Sequence, residues 1–208
     1  MFLDYLFFVA EKRELIQLIR KTQQVTSHFY VNEAQDVKYG IYITGVGKKA
    51  VALSLKNLGG LNVTASKYIN LGNSGALKNY FPGTIVEVGT VYGNNGKSFI
   101  TLNSESHFTL LSVNSTQNKK KLLEQFRNID LVDMELFTLA NKAPQLAITS
   151  YKIILDKPTT NLNSLGRTSS LAENKLRIPS ILSKMLLTWQ IKNNSLKLCN
   201  FVRKKFFE

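Results

Sequence analysis

The sequence predicts an α/β fold, a three-layer α/β/α sandwich in which helices cover both faces of a mixed central sheet. Short apolar or alternating runs of strand length recur along the chain, and segments with a helical spacing of apolar residues lie between them. Strands that alternate with helices indicate a largely parallel or mixed sheet between helical layers. The chain has 208 residues, of which 44% are hydrophobic, so it can bury one sizeable core. We therefore expect residues 1–208 to form a single domain.

The N-terminal part of the chain predicts two strand–helix units. Residues 6–10 are a continuous apolar run, which is typical of a central strand covered on both faces. Residues 11–21 carry apolar side chains on one helical face and charged ones on the other. Residues 37–44 alternate as a strand does. The turn from Gly45 to Lys48 then leads into a helix over residues 50–58, which the following glycines would end.

The middle of the chain predicts shorter elements joined by turns. Residues 68–71 form a short strand, and Gly72–Asn73–Ser74–Gly75 is expected to follow it as a loop or turn. A strand over residues 84–91 comes next. The residues Gly93 to Gly96 have the composition of a hairpin turn, so residues 98–102 should return as the partner strand.

The C-terminal half continues the alternation of strands and helices. The predicted elements are strands at 109–113 and 146–156, helices at 119–127, 135–142 and 178–191, a polar loop at 157–167, and a tail at 196–207 that can extend the last helix.

Composition and charge limit the classes of function. The single cysteine, Cys199, excludes an intramolecular disulfide and fits a reducing compartment. The two histidines, His28 and His107, stand far apart, and no Cys/His cluster has the spacing of a metal site. The net charge of +13 could indicate a nucleic acid or an anionic membrane as partner. The basic residues are scattered and no nucleic-acid recognition signature accompanies them, so we expect neither partner and attribute the charge to solvated faces.

The apolar N-terminus is better explained as a buried strand than as a targeting segment. It carries no positive charges before the apolar run, Asp4 interrupts it, and it is far shorter than the ~20 residues of a membrane span. The expected location is the cytoplasm.

Two glycine-containing segments follow predicted strands and could approach a ligand. Gly45–Val46–Gly47–Lys48 opens a helix, where an anion can bind, but it lacks the full spacing of a dinucleotide or P-loop fingerprint. Gly72–Asn73–Ser74–Gly75 would let backbone amides come close to a ligand. Each segment can equally be a tight turn.

Three separated carboxylates, Glu14, Glu135 and Asp156, are the main candidates for chemistry. Taken one at a time, Glu14 could be a solvated helix residue, Glu135 could complement a helix N-terminus, and Asp156 could cap a turn. Carboxylates at strand ends can also converge in one cleft. Hydrolysis of a glycosidic bond needs such a set, with one group to activate water, one to protonate the leaving group and one to hold the sugar hydroxyls.

Six segments of the chain together resemble a known family. They are Val9–Ala10 with Glu14, residues 44–50 (TGVGKKA), residues 69–77 (INLGNSGAL), residues 81–86 (FPGTIV), residues 132–135 (VDME), and the strand that ends at Asp156. In this order, over about residues 5–157, they resemble the purine nucleoside phosphorylase and nucleosidase superfamily. Within it, the resemblance is closest to the methylthioadenosine/S-adenosylhomocysteine nucleosidases and their futalosine hydrolase relatives.

The resemblance implies a role for each carboxylate. Glu14 matches the group that activates the attacking water, Glu135 with Met134 matches the pair that holds the ribose, and Asp156 matches the acid that protonates the purine N7. Further residues are implied to line the base and the sugar: Ala10, Val46, Asn73, Ser74, Gly75, His107, Phe108, Asp133 and Lys152.

This chain also departs from the pattern of the family. Leu155 stands where a small hydroxyl residue commonly orients the acid, Lys152 stands where an arginine is usual, and Asp133 replaces a glutamate. The aromatic residue that stacks on the base has no clean equivalent, and His107 or Phe108 is the nearest match.

The resulting hypothesis is a nucleosidase that hydrolyses the N-glycosidic bond of a purine nucleoside with a modified 5′ group, a small-molecule substrate. The resemblance implies a homodimer and no metal or organic cofactor. A futalosine or aminodeoxyfutalosine hydrolase of menaquinone synthesis is an alternative with the same ring chemistry. A non-catalytic homologue that binds anions through its basic residues is another. A phosphorylase is disfavoured, because only Arg13 and Lys48 are near enough to serve a phosphate site.

Overall fold

The computed structural model describes residues 1–33, 36–114, 119–156 and 179–208. Within these ranges the strands are β1 (Phe2–Val9), β2 (Gln23–Gln24), β3 (Phe29–Asn32), β4 (Tyr39–Ile43), β5 (Thr64–Ala76), β6 (Ile85–Tyr92), β7 (Phe99–Thr101), β8 (Phe108–Ser112), β9 (Leu131–Asp133) and β10 (Thr149–Asp156). The α-helices are α1 (Ile16–Ile19), α2 (Lys48–Gly59), α3 (Lys119–Gln125), α4 (Leu136–Lys142) and α5 (Pro179–Val202). Short 3₁₀ turns at Lys12–Leu15 and Pro144–Leu146 and a π turn at Arg203–Phe207 complete the regular structure.

The described strands form one mixed sheet in the order β10-β6-β8-β9-β5-β1-β4-β3-β2, with β7 paired to β6. Strand β1 is parallel to β4 and to β5, whereas β10 is parallel to β5 and antiparallel to β6. Because β10 also pairs with β5, the strands β5, β10, β6, β8 and β9 close into a ring. The predicted mixed sheet is confirmed, and the ring is an addition that the sequence did not indicate.

Strand β1 explains the three layers, because its alternate side chains enter two separate cores. Phe7 packs in a cluster with Leu198 of α5, whereas Phe8 on the opposite face packs with Val51 of α2 and Leu139 of α4. A continuous apolar run therefore buries both faces of the strand, as predicted. Helices α1 and α5 cover one face of the sheet and α2 and α4 the other, which confirms the α/β/α sandwich.

One predicted loop is wrong. Residues 72–75 continue β5 instead of following it, because β10 pairs along this segment and β9 pairs with its last residues. Small residues rarely favour a strand by themselves, and here neighbouring strands supply the pairing that local propensity does not predict. The short strands β2 and β3 were also missed. The loop predicted over residues 157–167 lies outside the described residues.

The carboxyl ends of parallel strands bring the candidate residues to one edge of the sheet. Ala10 follows β1, Gly45 to Gly47 follow β4, and Asp156 ends β10 beside the last residues of β5. Ligands of open α/β sheets bind at this edge. In the described part of the chain, the helices are each too short or too polar to cross a membrane.

Candidate active site

Glu14 is buried on the turn that follows β1, and four hydrogen-bond donors hold its carboxylate. Oε2 accepts the backbone N–H groups of Ala10 at 2.9 Å and Glu11 at 3.2 Å. Oε1 accepts the backbone N–H of Asn73 at 2.9 Å and the side-chain amide of the same residue at 3.0 Å. The solvated-helix alternative is therefore wrong for Glu14, which joins the end of β1 to the C-terminal part of β5.

Glu135 is the residue immediately before helix α4, and it faces the turn after β4. Its Oε1 accepts the N–H of Gly47 at 2.8 Å, and its Oε2 accepts the N–H of Met134 at 3.3 Å. Gly47 has φ of +85°, a conformation that favours glycine, so this turn can present its N–H to the carboxylate. Val46 beside it is exposed, and Met134 lies near Gly47.

Burial raises the pKa of Glu135 to about 7, because water that would stabilise the charge is excluded and the carboxylate of Asp133 lies nearby. The cation of Lys152 and the N–H of Gly47 act in the opposite direction. With this pKa, Glu135 can exchange a proton near neutral pH.

Lys152 and Asp133, two departures from the family pattern, form a buried ion pair. Nζ of Lys152 lies 2.9 Å from Oδ2 of Asp133, and both side chains are almost fully buried. Ser112 donates its hydroxyl hydrogen to Asp133 at 2.6 Å, and the backbone N–H groups of Glu135 and Leu136 donate to the same carboxylate. Burial alone would lower the pKa of Lys152, but the charges of Asp133 and Glu135 outweigh it and raise that pKa.

Gly72 on β5 leaves space for the side chains of Lys152 and Glu14. Lys152 on β10 is its register partner, and a Cβ on Gly72 would lie 3.2 Å from Oε1 of Glu14 and 3.6 Å from Nζ of Lys152. The lysine cation interacts electrostatically with the carboxylates of both Glu14 and Glu135, so it offsets part of their repulsion.

Asp156 is buried at the end of β10, opposite Gly75. Ile154 pairs with Ser74, so Leu155 is an extra residue that forms a β-bulge. A bulge re-aims the side chain that follows it. Gly75 is two residues from Asn73, which binds Glu14, so Asp156 and Glu14 flank the same short segment of β5.

The structure places His107 and Phe108 elsewhere. His107 is exposed, and Phe108 begins β8 and packs against Tyr80 at a ring-centroid distance of 5.5 Å. Ser112, at the other end of β8, is the residue of this strand that contacts the ion pair. It lies about 13 Å from Phe108, at roughly 3.3 Å per strand residue. The resemblance gave His107 or Phe108 as the nearest match to the aromatic residue that stacks on the base, and among the described residues no hydrogen bond or ion pair joins either one to the three carboxylates.

Sequence reasoning also missed residues that contact the site. Asn194 of α5 donates to Oδ1 of Asn73 at 2.9 Å, and Ser112 holds Asp133. Neither lies in a motif, and a contact across 121 residues has no local signal. Ser74, also in β5, is buried, and among the described residues its hydroxyl has no hydrogen-bond partner.

A cleft of about 450 Å³ opens beside Met134. It is bounded by the start of α2, the turn between β6 and β7, the end of β8 and one face of α4. Most of its lining is polar, including two lysines and four asparagines: Lys48, Lys142, Asn94, Asn95, Asn114 and Asn141.

Three solved structures that are similar to this chain are described as nucleosidases. A 5′-methylthioadenosine/S-adenosylhomocysteine nucleosidase of Chlamydia trachomatis matches with a TM-score of 0.71 and 17% identity, over 100% of this chain and 98% of that one. A protein of Borrelia burgdorferi described as the same kind of enzyme, solved with adenine bound, matches with a TM-score of 0.73 and 13% identity, over 96% and 98%. The nucleosidase of Campylobacter jejuni matches with a TM-score of 0.68 and 14% identity, over 97% of each chain.

No protein-family model matches the chain, and no curated protein does. The structural likeness establishes the fold of these nucleosidases for this chain and confirms the fold that the sequence resemblance implied.

Proposed function

We propose that the protein is an N-ribosyl hydrolase that cleaves the glycosidic bond of a purine nucleoside carrying a modified 5′ group. The observation that supports the proposal is that Glu14 is bound to Asn73 of β5, that Asp156 pairs with Gly75 two residues further along, and that Glu135, bound to Gly47, interacts electrostatically with Glu14. The fold of the nucleosidases is an independent support.

In the proposed reaction, Glu14 is the general base. Its carboxylate accepts hydrogen bonds from Ala10, Glu11 and Asn73, so it is held in a defined position where it can take a proton from water. Fixed geometry matters because proton transfer requires a heavy-atom distance of about 2.6–3.2 Å. The water oxygen then attacks the sugar C1′.

Glu135 would hold the ribose hydroxyls. With a pKa of about 7, the Glu135 side chain favours its protonated form below that pH. Two hydroxyl donors would favour the carboxylate, and so would the positive charge that grows on the sugar as the glycosidic bond breaks. Glu135 would therefore bind the transition state more strongly than the free nucleoside, which is the condition for catalysis.

Asp156 would be the general acid. The bond between C1′ and the purine nitrogen breaks with its electron pair on the base, and a proton from Asp156 to N7 neutralises the developing anion. The products are the free purine and a ribose with a hydroxyl at C1′. The bulge at Leu155 takes over the aiming of this side chain, which the family commonly assigns to a hydroxyl residue.

The 5′ substituent would enter the cleft beside Met134. Its lysines and asparagines suit a polar or anionic group, such as the amino-acid end of S-adenosylhomocysteine, better than a purely apolar one. A futalosine-type substrate would use the same ring chemistry. The homodimer implied by the resemblance and the cytoplasmic location expected from the N-terminal segment belong to the proposal, and sedimentation velocity tests the homodimer.

The experiment is product analysis of base release from a nucleoside panel, with and without inorganic phosphate. The panel includes methylthioadenosine, S-adenosylhomocysteine and aminodeoxyfutalosine. We expect hydrolysis that does not require phosphate. Asp156→Asn should lower kcat by about 10²–10⁴-fold, the usual contribution of a general acid. The matched control is Asp4→Asn, because Asp4 accepts an N–H bond from Lys38 at the other end of β1.

Three results would contradict the proposal. Unchanged turnover in Asp156→Asn would remove the proposed acid. A requirement for phosphate would indicate a phosphorylase. Release of no base from any nucleoside, together with salt-dependent binding of DNA or RNA, would favour the anion-binding homologue.

A further inference from the structure

We propose that Asn194, on the C-terminal helix α5, is a positioning residue that sets the orientation of Asn73 and, through it, of the Glu14 carboxylate. This inference rests on the proposed function, because it adds a residue to the site in which Glu14 activates water. Asn194 is buried, with 5% of its surface exposed. It lies outside the segments that resemble the nucleosidase family.

The contacts form a directed chain of hydrogen bonds. Nδ2 of Asn194 donates to Oδ1 of Asn73 at 2.9 Å, and Nδ2 of Asn73 donates to Oε1 of Glu14 at 3.0 Å. The backbone N–H of Asn73 donates to the same oxygen at 2.9 Å. Helix α5 is therefore joined to the carboxylate through two side-chain hydrogen bonds.

The chemistry of Glu14 dictates the direction of this chain. A carboxylate only accepts hydrogen bonds, so the Asn73 amide must turn its NH₂ group toward Glu14. Its Oδ1 then faces α5 and needs a donor, which Asn194 supplies. An acceptor at position 194 would favour the flipped amide of Asn73. The flipped amide would present an oxygen to the carboxylate, and the two would repel each other.

Asn73 is the adjustable member of the group that holds Glu14. The other three bonds come from backbone N–H groups, including that of Asn73 itself, and the path of the chain determines their positions. The Asn73 amide is the one side chain among the four donors, so a neighbour can change its direction. Misplacement of a catalytic group by 1 Å can cost about 10²-fold in rate.

The test compares Asn194→Asp with Asn193→Asp. Both exchanges replace an amide by a carboxylate of nearly the same size in adjacent residues of α5, so they match in charge and position. We expect Asn194→Asp to lower kcat for base release by about 10–10²-fold with KM within about twofold. Asn193→Asp should leave both parameters within about twofold. Equal kcat values in the two variants would overturn the proposal.

A second readout needs no substrate. In ¹⁵N-labelled, ligand-free protein, the side-chain amide signals of Asn73 should move in Asn194→Asp and stay in place in Asn193→Asp. Asn194→Ala, which removes the donor without adding an acceptor, serves if Asn194→Asp does not fold. It should move the same signals and lower kcat less than the aspartate does. Unmoved Asn73 signals in Asn194→Ala would refute the link.

The two readouts separate this inference from the proposed function. If the wild-type protein releases no base from any nucleoside, the proposed function fails, while the amide signals still decide whether Asn194 orients Asn73. If base is released but both position-194 variants leave kcat and the Asn73 signals unchanged, only the positioning role fails.

Discussion

Replacement of Glu135 by glutamine should make the protein more stable than the wild type above neutral pH. At acidic pH the replacement should give no such gain in stability. The folded state raises the pKa of Glu135 from its ordinary value of 4.5 to about 7, mainly through burial. Below the lower value, the group is protonated in both states. Between the two values the unfolded chain loses its proton while the folded protein keeps it, so the stability of the wild type falls as pH rises.

The size of the effect follows from the same two values. A tenfold change in an acid dissociation constant corresponds to about 1.4 kcal/mol. The free energy of unfolding of the wild type should therefore fall by on the order of 3 kcal/mol relative to Glu135→Gln between pH 4.5 and about 7. Above that range the difference should level off. Glutamine keeps an oxygen that can accept the N–H of Gly47, so this bond does not obscure the comparison.

Urea unfolding at a series of pH values from 4.5 to 8.5 measures the difference. Glu124→Gln is the control, because Glu124 is an exposed residue of α3. A difference between Glu135→Gln and wild type that is the same at every pH would refute the reasoning. So would a difference that shrinks as pH rises.

Two further substitutions test the interior of the site. Lys152→Met should destabilise the protein by about 3–5 kcal/mol in urea unfolding, because it leaves the buried carboxylate of Asp133 without its cation; a loss below about 1 kcal/mol would show that the ion pair is dispensable. Gly72→Ala should lower kcat for base release and change the melting temperature little, because the added Cβ would lie 3.2 Å from Oε1 of Glu14. Full activity in that variant would mean that the carboxylate can shift without consequence.

Much of the fold was predictable because it depends on local pattern. The apolar run around Phe7 and Phe8 predicts a strand with two buried faces, and the structure places these two side chains in different cores. The hairpin turn at Gly93 to Gly96 likewise predicted the antiparallel pair β6 and β7. In both cases the period of the side chains is set by backbone geometry, which needs no partner from elsewhere in the chain.

At residues 72–75, the local sequence pattern predicted a loop where the structure has a strand. Glycine and asparagine there favour a turn locally, but pairing with β9 and β10 makes the segment part of a strand. The same pairing creates the bulge at Leu155 and brings Lys152 next to Gly72. Strand pairing depends on residues far apart in the sequence, so local propensity does not predict it.

By itself, the sequence determined the layered α/β architecture and named Glu14, Glu135 and Asp156 as the carboxylates to examine. Only the tertiary structure decided how two of them are held, Glu135 by the Gly47 N–H and Glu14 by the Asn73 amide, and placed the buried pair of Lys152 with Asp133 beside them. Residue type and periodicity are properties of the chain. The hydrogen bonds and charges that orient a buried carboxylate come from whichever strands and helices pack against it.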